Sequence, residues 1–570
     1  MSENESVFVE QAEYLDSAMF SSWFVEHPKE AEILRKLKAS GAKLLIGPRG
    51  TGKTTLMLKA LNEMLFAGNA DVLPVYVSFK TSLRLEPLYK TTGNATFWFN
   101  QWLFLNSSLS ISQSLEKLDI KQDSAIFGSM SIDSAKRVVD ALQSADIETA
   151  SKHLPEPIGN SQFSAIVNSA LNICKRSRVV FLFDDAAHAF SADQQRDFFD
   201  FFRLIKSPTV SPKAAIYPGV TNFSSAFHVG HDAEEVNIWL DPTEPRYINF
   251  MRSMVRRRLS DSTANALTSD EATFQLLALS AFGIPRNMLN MVRKLTTSDE
   301  SDGESGTLKK KVFARTAVLG AIAECAETSQ QIFKSLKAKL PTYASFVDQG
   351  TLFLRQTVQT IKDYNGKTSK GKTVTVAIVE PLSSELKTLL SFLEYSGLVR
   401  PRGNVSRGEK GTFALFDLHY ALLVEANAVL AQKAFTISDV AESLAKRDAH
   451  AFARTTSEKL LGTTNIAAVL PLQLPPCEVC STPRASPEAK FCMHCGSPLS
   501  LKSTFETAVQ QGIEMLPLTS KRVESIKKQS SINTVKDVLL DKDHKELLKV
   551  KMIGPIWATR ISRYAEEFVE

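Results

Sequence analysis

Lys43-Leu44-Leu45-Ile46-Gly47-Pro48-Arg49-Gly50-Thr51-Gly52-Lys53-Thr54-Thr55 is a short apolar run that passes directly into Gly-x4-Gly-Lys-Thr. This order predicts a buried strand, a glycine-rich loop and a helix, the arrangement of a phosphate-binding loop. Glycine lets backbone N–H groups turn inward around a phosphate, and the helix brings its positive end to the same place. Gly47, Pro48, Arg49, Gly50, Thr51, Gly52, Lys53, Thr54 and Thr55 form the expected nucleotide-binding loop. Lys53 is expected to reach the β- and γ-phosphates, and the Thr54 hydroxyl to ligate Mg²⁺.

Working outward, a helix is expected over Lys29 to Lys38, with Ala31, Ile33, Leu34 and Leu37 on one face, ahead of the first strand. The loop's own helix continues from Leu56 to Phe66. Val72 to Phe79 reads as a second buried strand. Val179-Val180-Phe181-Leu182-Phe183-Asp184-Asp185 is an apolar strand that delivers two carboxylates to the carboxyl edge of a sheet. There Asp184 would hold Mg²⁺ and Asp185 would orient or deprotonate the attacking water. Ala214 to Asn222 makes a further strand, ending in Thr221 and Asn222, either of which could face the γ-phosphate or serve only in a turn. A fifth strand is expected at Val236 to Leu240. Alternating strands and helices up to about residue 242 imply a doubly wound α/β sheet. The long helical stretch from about 83 to 163 carries Phe97, Trp98, Phe99, Trp102 and Phe104, whose helical spacing reads as core, with base stacking as the alternative.

Helices at 243–295 follow, and one opens at Phe282-Gly283-Ile284-Pro285-Arg286-Asn287-Met288-Leu289. The phosphate loop, acidic strand end, polar fourth strand and Gly-x-Pro-Arg-x-x-Leu together resemble the AAA+ ATPases, in the branch similar to origin-recognition proteins and their prokaryotic relatives. The resemblance covers residues 25–295. It implies a parallel-sheet P-loop ATPase core with a helical lid, ATP and Mg²⁺ as cofactors, and Arg286 as the lid arginine that senses the γ-phosphate. Asn222 would then be the polar sensor of the fourth strand. Two departures stand out: Asp185 replaces the usual Glu, and Phe223 to Glu235 lacks an arginine finger, for which Arg246 is one candidate substitute. Both departures resemble the STAND signalling NTPases, in which nucleotide state is a slow switch.

Residues Thr296 to Gly306 are polar and acidic and mark a boundary, followed by the basic Lys309-Lys310-Lys311. Residues 312–431 form a second helical domain. Within it a helix from Ser383 to Tyr395, a turn-rich Pro401 to Gly411 and a strand from Thr412 to Leu418 outline a winged helix. Arg400, Arg402, Arg407 and Lys410 would place positive charge on its wing, where DNA phosphates or a protein partner could be met.

Cys477-x2-Cys480-x11-Cys492-x2-Cys495, within 470–500, presents four thiolates at the spacing of a structural Zn²⁺ ribbon. Residues 510–570 carry two related segments, Leu518 to Ile526 and Ile553 to Ile561. The second resembles a helix-hairpin-helix turn, which implies backbone contact with a DNA phosphate at Gly554, flanked by Lys551 and Arg560; a degenerate hairpin used for protein contact is the alternative.

The whole chain of 570 residues has room for roughly three to five domains. Its 44% hydrophobic and 23% charged residues are those of an ordinary soluble protein, and a net charge of +5 permits a nucleic-acid partner without requiring one. No run is apolar enough to span a bilayer and the acidic start, residues 1–24 being a separate N-terminal segment, lacks a secretory signal. A cytoplasmic location with no membrane partner is therefore expected. An oligomer and a partner protein remain open.

Overall fold

The computed structural model describes residues 22–66, 71–91, 93–120, 130–186, 191–296, 314–368, 371–432, 435–446, 450–486, 489, 491–499, 504–518, 520–551 and 553–569. The N-terminal segment up to residue 21, the acidic stretch 297–306 and Lys309 to Lys311 lie outside them, as do Thr519 and the Lys410 side chain.

Helix α1 (Glu30–Lys38) leads into β1 (Lys43–Ile46), the phosphate loop and α2 (Lys53–Phe66). Strands β2 (Val72–Ser78), β3 (Arg178–Asp184), β4 (Val210–Ile216) and β5 (Glu234–Asn237) complete a parallel sheet in the order β2-β3-β4-β1-β5. Central strands β3 and β4 are buried on both faces; β3 is the near-continuous apolar run that such burial favours, whereas β4 buries Ser211 and Lys213, the Lys213 ammonium donating to the Ala39 and Gly41 carbonyls. Pro74 is tolerated in β2 because that strand lies at the sheet's edge. This is an α/β P-loop NTPase fold followed by helical domains. Strand β4 starts at Val210 and stops at Ile216, earlier at both ends than the sequence suggested. The chain turns at Gly219, where φ is +76° and an added Cβ would lie 2.2 Å from the Ser391 carbonyl oxygen, so neither strand geometry nor a side chain fits there.

One face of the sheet is covered by α3 (Ala95–Glu116), α4 (Ile132–Gln143), α5 (Asn160–Cys174) and α6 (Ala192–Ile205). Phe99, Trp102 and Phe104 interlock there with Phe163, Phe181, Phe198 and Phe201 in edge-to-face, tilted and stacked pairs. The aromatic cluster is thus core; only its margin, Phe97, is exposed.

Helices α7 (Tyr247–Arg256), α8 (Glu271–Ser280) and α9 (Pro285–Thr296) make up the stretch expected as a lid. The lid shares one hydrophobic core with the residues that follow, which include α10 (Arg315–Lys339), α11 (Ala344–Lys367) and α12 (Ser384–Tyr395). A second sheet in the order β7-β8-β6-β9 lies among them, built from β6 (Thr375–Val379), β7 (Val399–Ser406), β8 (Thr412–Leu418) and β9 (Ala453–Thr455). Strand β9 joins parallel to β6, and the shared core extends to Leu470. The second unit therefore continues past residue 431. Pro401 to Ser406, expected as turn, is edge strand with an irregularity between Pro401 and Gly403, the position in a sheet that tolerates proline. The last residues build a small helical core ending in α13 (Pro555–Val569). Among the described residues no helix is long and apolar enough to cross a membrane.

Candidate functional site

Register brings the strand ends level: Ile46 pairs with Ile216, and Phe183 with Ala214. The phosphate loop, Tyr217 just after β4 and Asp185 just after β3 therefore open side by side into one cleft. The cleft is lined by the phosphate loop from Arg49 to Thr55, by Lys80, Asp185 and Tyr217, and by Pro285 and Arg286. Gly50 is where loop and lid meet. Its φ is +85°, an added Cβ would stand 2.8 Å from Arg286 Cβ, and its carbonyl accepts the Arg286 N–H at 3.4 Å.

Lys53 is buried, and its ammonium donates to the carbonyls of Gly47 at 2.7 Å and Pro48 at 3.2 Å. It also lies 3.7 Å from the centre of the Tyr217 ring. Burial pushes its pKa down to about 7, against the attraction of Asp185 and Asp184. Asp184 is fully buried; one carboxylate oxygen accepts the Tyr76 hydroxyl at 2.8 Å and the other the Asp185 N–H at 3.1 Å. Asp185 has a left-handed backbone, φ +55°, and its carboxylate accepts the Tyr217 hydroxyl at 3.0 Å. A left-handed non-glycine residue at a strand end carries strain, a common mark of functional positions. Burial and the neighbouring Asp185 hold the Tyr217 phenol protonated.

Lys53, Thr54, Asp185 and Arg286 thus line one cleft, with Asp184 directly behind Asp185. Asn222 does not join them. Its backbone N–H and side-chain amide both donate to Gln195 Oε1, and Thr221 donates to the Tyr217 carbonyl. The β4 strand ends early, so Tyr217 faces the cleft in the position expected of Asn222. The signal for this was present: a tyrosine closing an apolar strand at the sheet's carboxyl edge. Arg246 is exposed at the start of α7.

The cleft is also lined by the apolar Trp23, Phe24, Phe250, Met254 and Leu289, with the Arg258 guanidinium over the Trp23 ring. His27 is buried beside the cleft, its Nε2 donating to the Ile238 carbonyl and its Nδ1 accepting the Lys29 N–H. Burial lowers its pKa to about 4, so the ring is neutral. Apolar lining and a cationic loop suit a nucleotide's base and phosphates respectively.

The four cysteines converge, their sulfurs all within 4.8 Å of one another and two pairs at 3.5 Å. Zn–S bonds of about 2.3 Å give a tetrahedral S–S edge of about 3.8 Å, so the donor set fits Zn²⁺. Gly496 supplies a left-handed turn, φ +69°, beside Cys495, and the exposed His494 directs its backbone N–H at Cys492 Sγ.

The expected nucleic-acid contacts are placed unevenly. Arg400 donates to the Trp239 and Leu240 carbonyls, and Arg402 pairs with Asp241 and Asp417. Both serve an internal junction, because β7 packs against the residues leaving β5. Arg407 is exposed but lies over the Phe452 ring at 5.0 Å. Lys551 is exposed, with its backbone N–H held by Gln529. Gly554 is exposed with open space around it, and Arg560 lies over Trp557 at 4.9 Å.

No protein-family model matches the chain, and no curated protein does. Solved structures do. A Walker-type ATPase of Pyrococcus abyssi aligns at 14% identity and a TM-score of 0.37 over 70% of this chain and 95% of its own. Cdc6p of Pyrobaculum aerophilum aligns at 14% and 0.31 over 75% and 98%. The ORC1 protein of Aeropyrum pernix, solved in complex with DNA, aligns at 14% and 0.28 over 75% and 96%.

Proposed function

We propose that the chain is an Mg·ATP-binding and hydrolysing ATPase whose nucleotide state controls how its C-terminal modules engage DNA. The observation that carries the ATPase reading is the convergence of the phosphate loop, Lys53, Asp184-Asp185 and Arg286 on a cleft that also has apolar lining. Lys53 and Arg286 neutralise phosphate charge from opposite sides, and Asp185 orients the attacking water. Thr54 and Asp184 are the residues that would hold Mg²⁺, which neutralises developing phosphate charge when bound. Cys477, Cys480, Cys492 and Cys495 would hold a structural Zn²⁺. DNA as partner rests on the winged-helix outline of α12, β7 and β8, on exposed Arg407 and Lys551, and on the resemblance of the motifs.

A second reading, a nucleotide-gated signalling switch acting through a protein, is favoured by one specific observation. Arg400 and Arg402, the arginines nearest the wing, are engaged inside the molecule. ATP hydrolysis with and without duplex and single-stranded DNA separates the two, with Lys53→Ala and Asp185→Asn as controls. Stimulation by DNA that both substitutions abolish supports the first reading. Tight ATP binding indifferent to DNA supports the second, and absence of nucleotide binding refutes both.

A further inference from the structure

The last helix of the chain ends inside the cleft. Glu567, in the final turn of α13, stands with its carboxylate between two guanidinium groups, Oε2 3.6 Å from Arg49 and Oε1 3.6 Å from Arg286. Its backbone carbonyl also accepts both Arg49 nitrogens at 3.3 Å. The side chains are largely withdrawn from water, at 14% exposure for Glu567, 17% for Arg49 and 24% for Arg286. A helix's carboxyl end is electronegative, so Arg49 is attracted by the helix terminus as well as by the side chain. The next residue, Phe568, belongs to the small C-terminal core and lies against Lys339 at the end of α10.

We propose that Glu567 is a phosphate surrogate, and that a nucleoside triphosphate and the docked C-terminal helix compete for Arg49 and Arg286. The inference rests on the cleft being a nucleotide site. A carboxylate bridging two arginines makes the interactions that a terminal phosphate would make. A phosphate at that point meets the like charge of Glu567, so both groups cannot be held together. Binding of the triphosphate therefore drives α13 out of the cleft. By linkage, anything that draws the C-terminal module away, DNA or protein, tightens nucleotide binding by the same factor. This gives the nucleotide a direct route to a module that lies more than 500 residues from the phosphate loop in sequence, as the separation of 518 between Arg49 and Glu567 records.

The test uses the full-length protein with Mg·ATPγS as probe, read by nucleotide titration and by hydrogen exchange of residues 555–569. Glu567→Gln, which keeps the shape and removes the charge, is expected to bind the probe about tenfold more tightly, a coupling of ordinary size. In the unsubstituted protein, saturating probe is expected to raise exchange in α13. A folded Glu567→Gln protein with unchanged affinity overturns the proposal. So does an α13 equally protected with and without probe, a result that stands even where the substituted protein fails to fold. If the unsubstituted protein binds no probe, the nucleotide reading itself fails, and Lys53→Ala then shows no difference.

Discussion

Lys53 is held at a pKa of about 7, against an ordinary value of 10.5, because burial removes its ammonium from water. At pH 8 roughly nine-tenths of empty sites would then carry a neutral amine, by the ordinary titration relation at one pH unit above the pKa. A bound polyphosphate supplies the opposite charge that the buried ammonium lacks and restores the cationic form. Nucleotide binding at pH 8 should therefore take up close to one proton per chain. Affinity should fall about tenfold per unit of rising pH between about 7.5 and 9, equivalent to roughly 1.4 kcal/mol per unit. The sign follows because the free form is progressively deprotonated over this window while the complex stays charged. Phosphate esters titrate near pH 6, below the window. Calorimetric titration of Mg·ATPγS in two buffers of different ionisation enthalpy measures the uptake directly, with Lys53→Arg as the permanently charged control. Binding with no proton uptake and no loss of affinity up to pH 9 would refute the idea that burial leaves Lys53 neutral in the empty cleft.

Further outcomes are expected elsewhere in the molecule. The purified chain should contain one Zn²⁺, and Cys492→Ser should lower the zinc content measured by mass spectrometry and loosen residues 477–499 in hydrogen exchange, while α6 keeps its protection. Gly283 has φ +78° and an added Cβ would meet the Leu240 carbonyl oxygen at 1.9 Å, so Gly283→Ala should destabilise the fold by about 3 kcal/mol or more, read as a lower thermal midpoint. Burial raises the Glu394 pKa to about 7 although Arg400 opposes the shift. An acid with a raised folded pKa loses stability as pH climbs past its unfolded value, so Glu394→Gln should stabilise the protein by about 1–3 kcal/mol at pH 8 and by little at pH 5 in denaturant titrations. Trp102 is fully buried in the aromatic core, and Trp102→Ala should cost about 3–5 kcal/mol in the same assay.

The parallel sheet was legible because β1 and β3 are apolar runs that lead into chemically conspicuous residues: glycine and lysine after β1, two aspartates at the end of β3. The four thiolates were legible because metal spacing is local. Asn222 was misplaced because the place where a strand stops is set by tertiary packing. Gly219 must fit under Ser391 of a helix far along the chain, and that contact decides that Tyr217 is the last residue facing the cleft. Arg400 and Arg402 looked like surface charge because the partners that bury them, the Trp239 and Leu240 carbonyls and Asp241, come from another sheet. Glu567 carried no local signal. Its role depends on the path of α13 across the molecule, which no pattern around residue 567 encodes.

The continuous core that joins the lid to α10, α11 and α12 has a mechanical consequence. A lid with its own separate core could flap alone, but here its helices are welded to everything up to Leu470. The same core takes in Tyr217 and Val220 after β4 and Trp239 and Leu240 after β5, so a shift at Arg286 reaches that entire block and the ends of both strands together. The residues just after β5 are clasped by Arg400 and Arg402. Despite burial, which works the other way, the Thr243 hydroxyl and Arg400 hold Asp241 at the clasp below the usual carboxylate range. A change at a phosphate would therefore be felt by one body that runs from Arg286 to the β7–β8 hairpin, rather than by a lid moving alone.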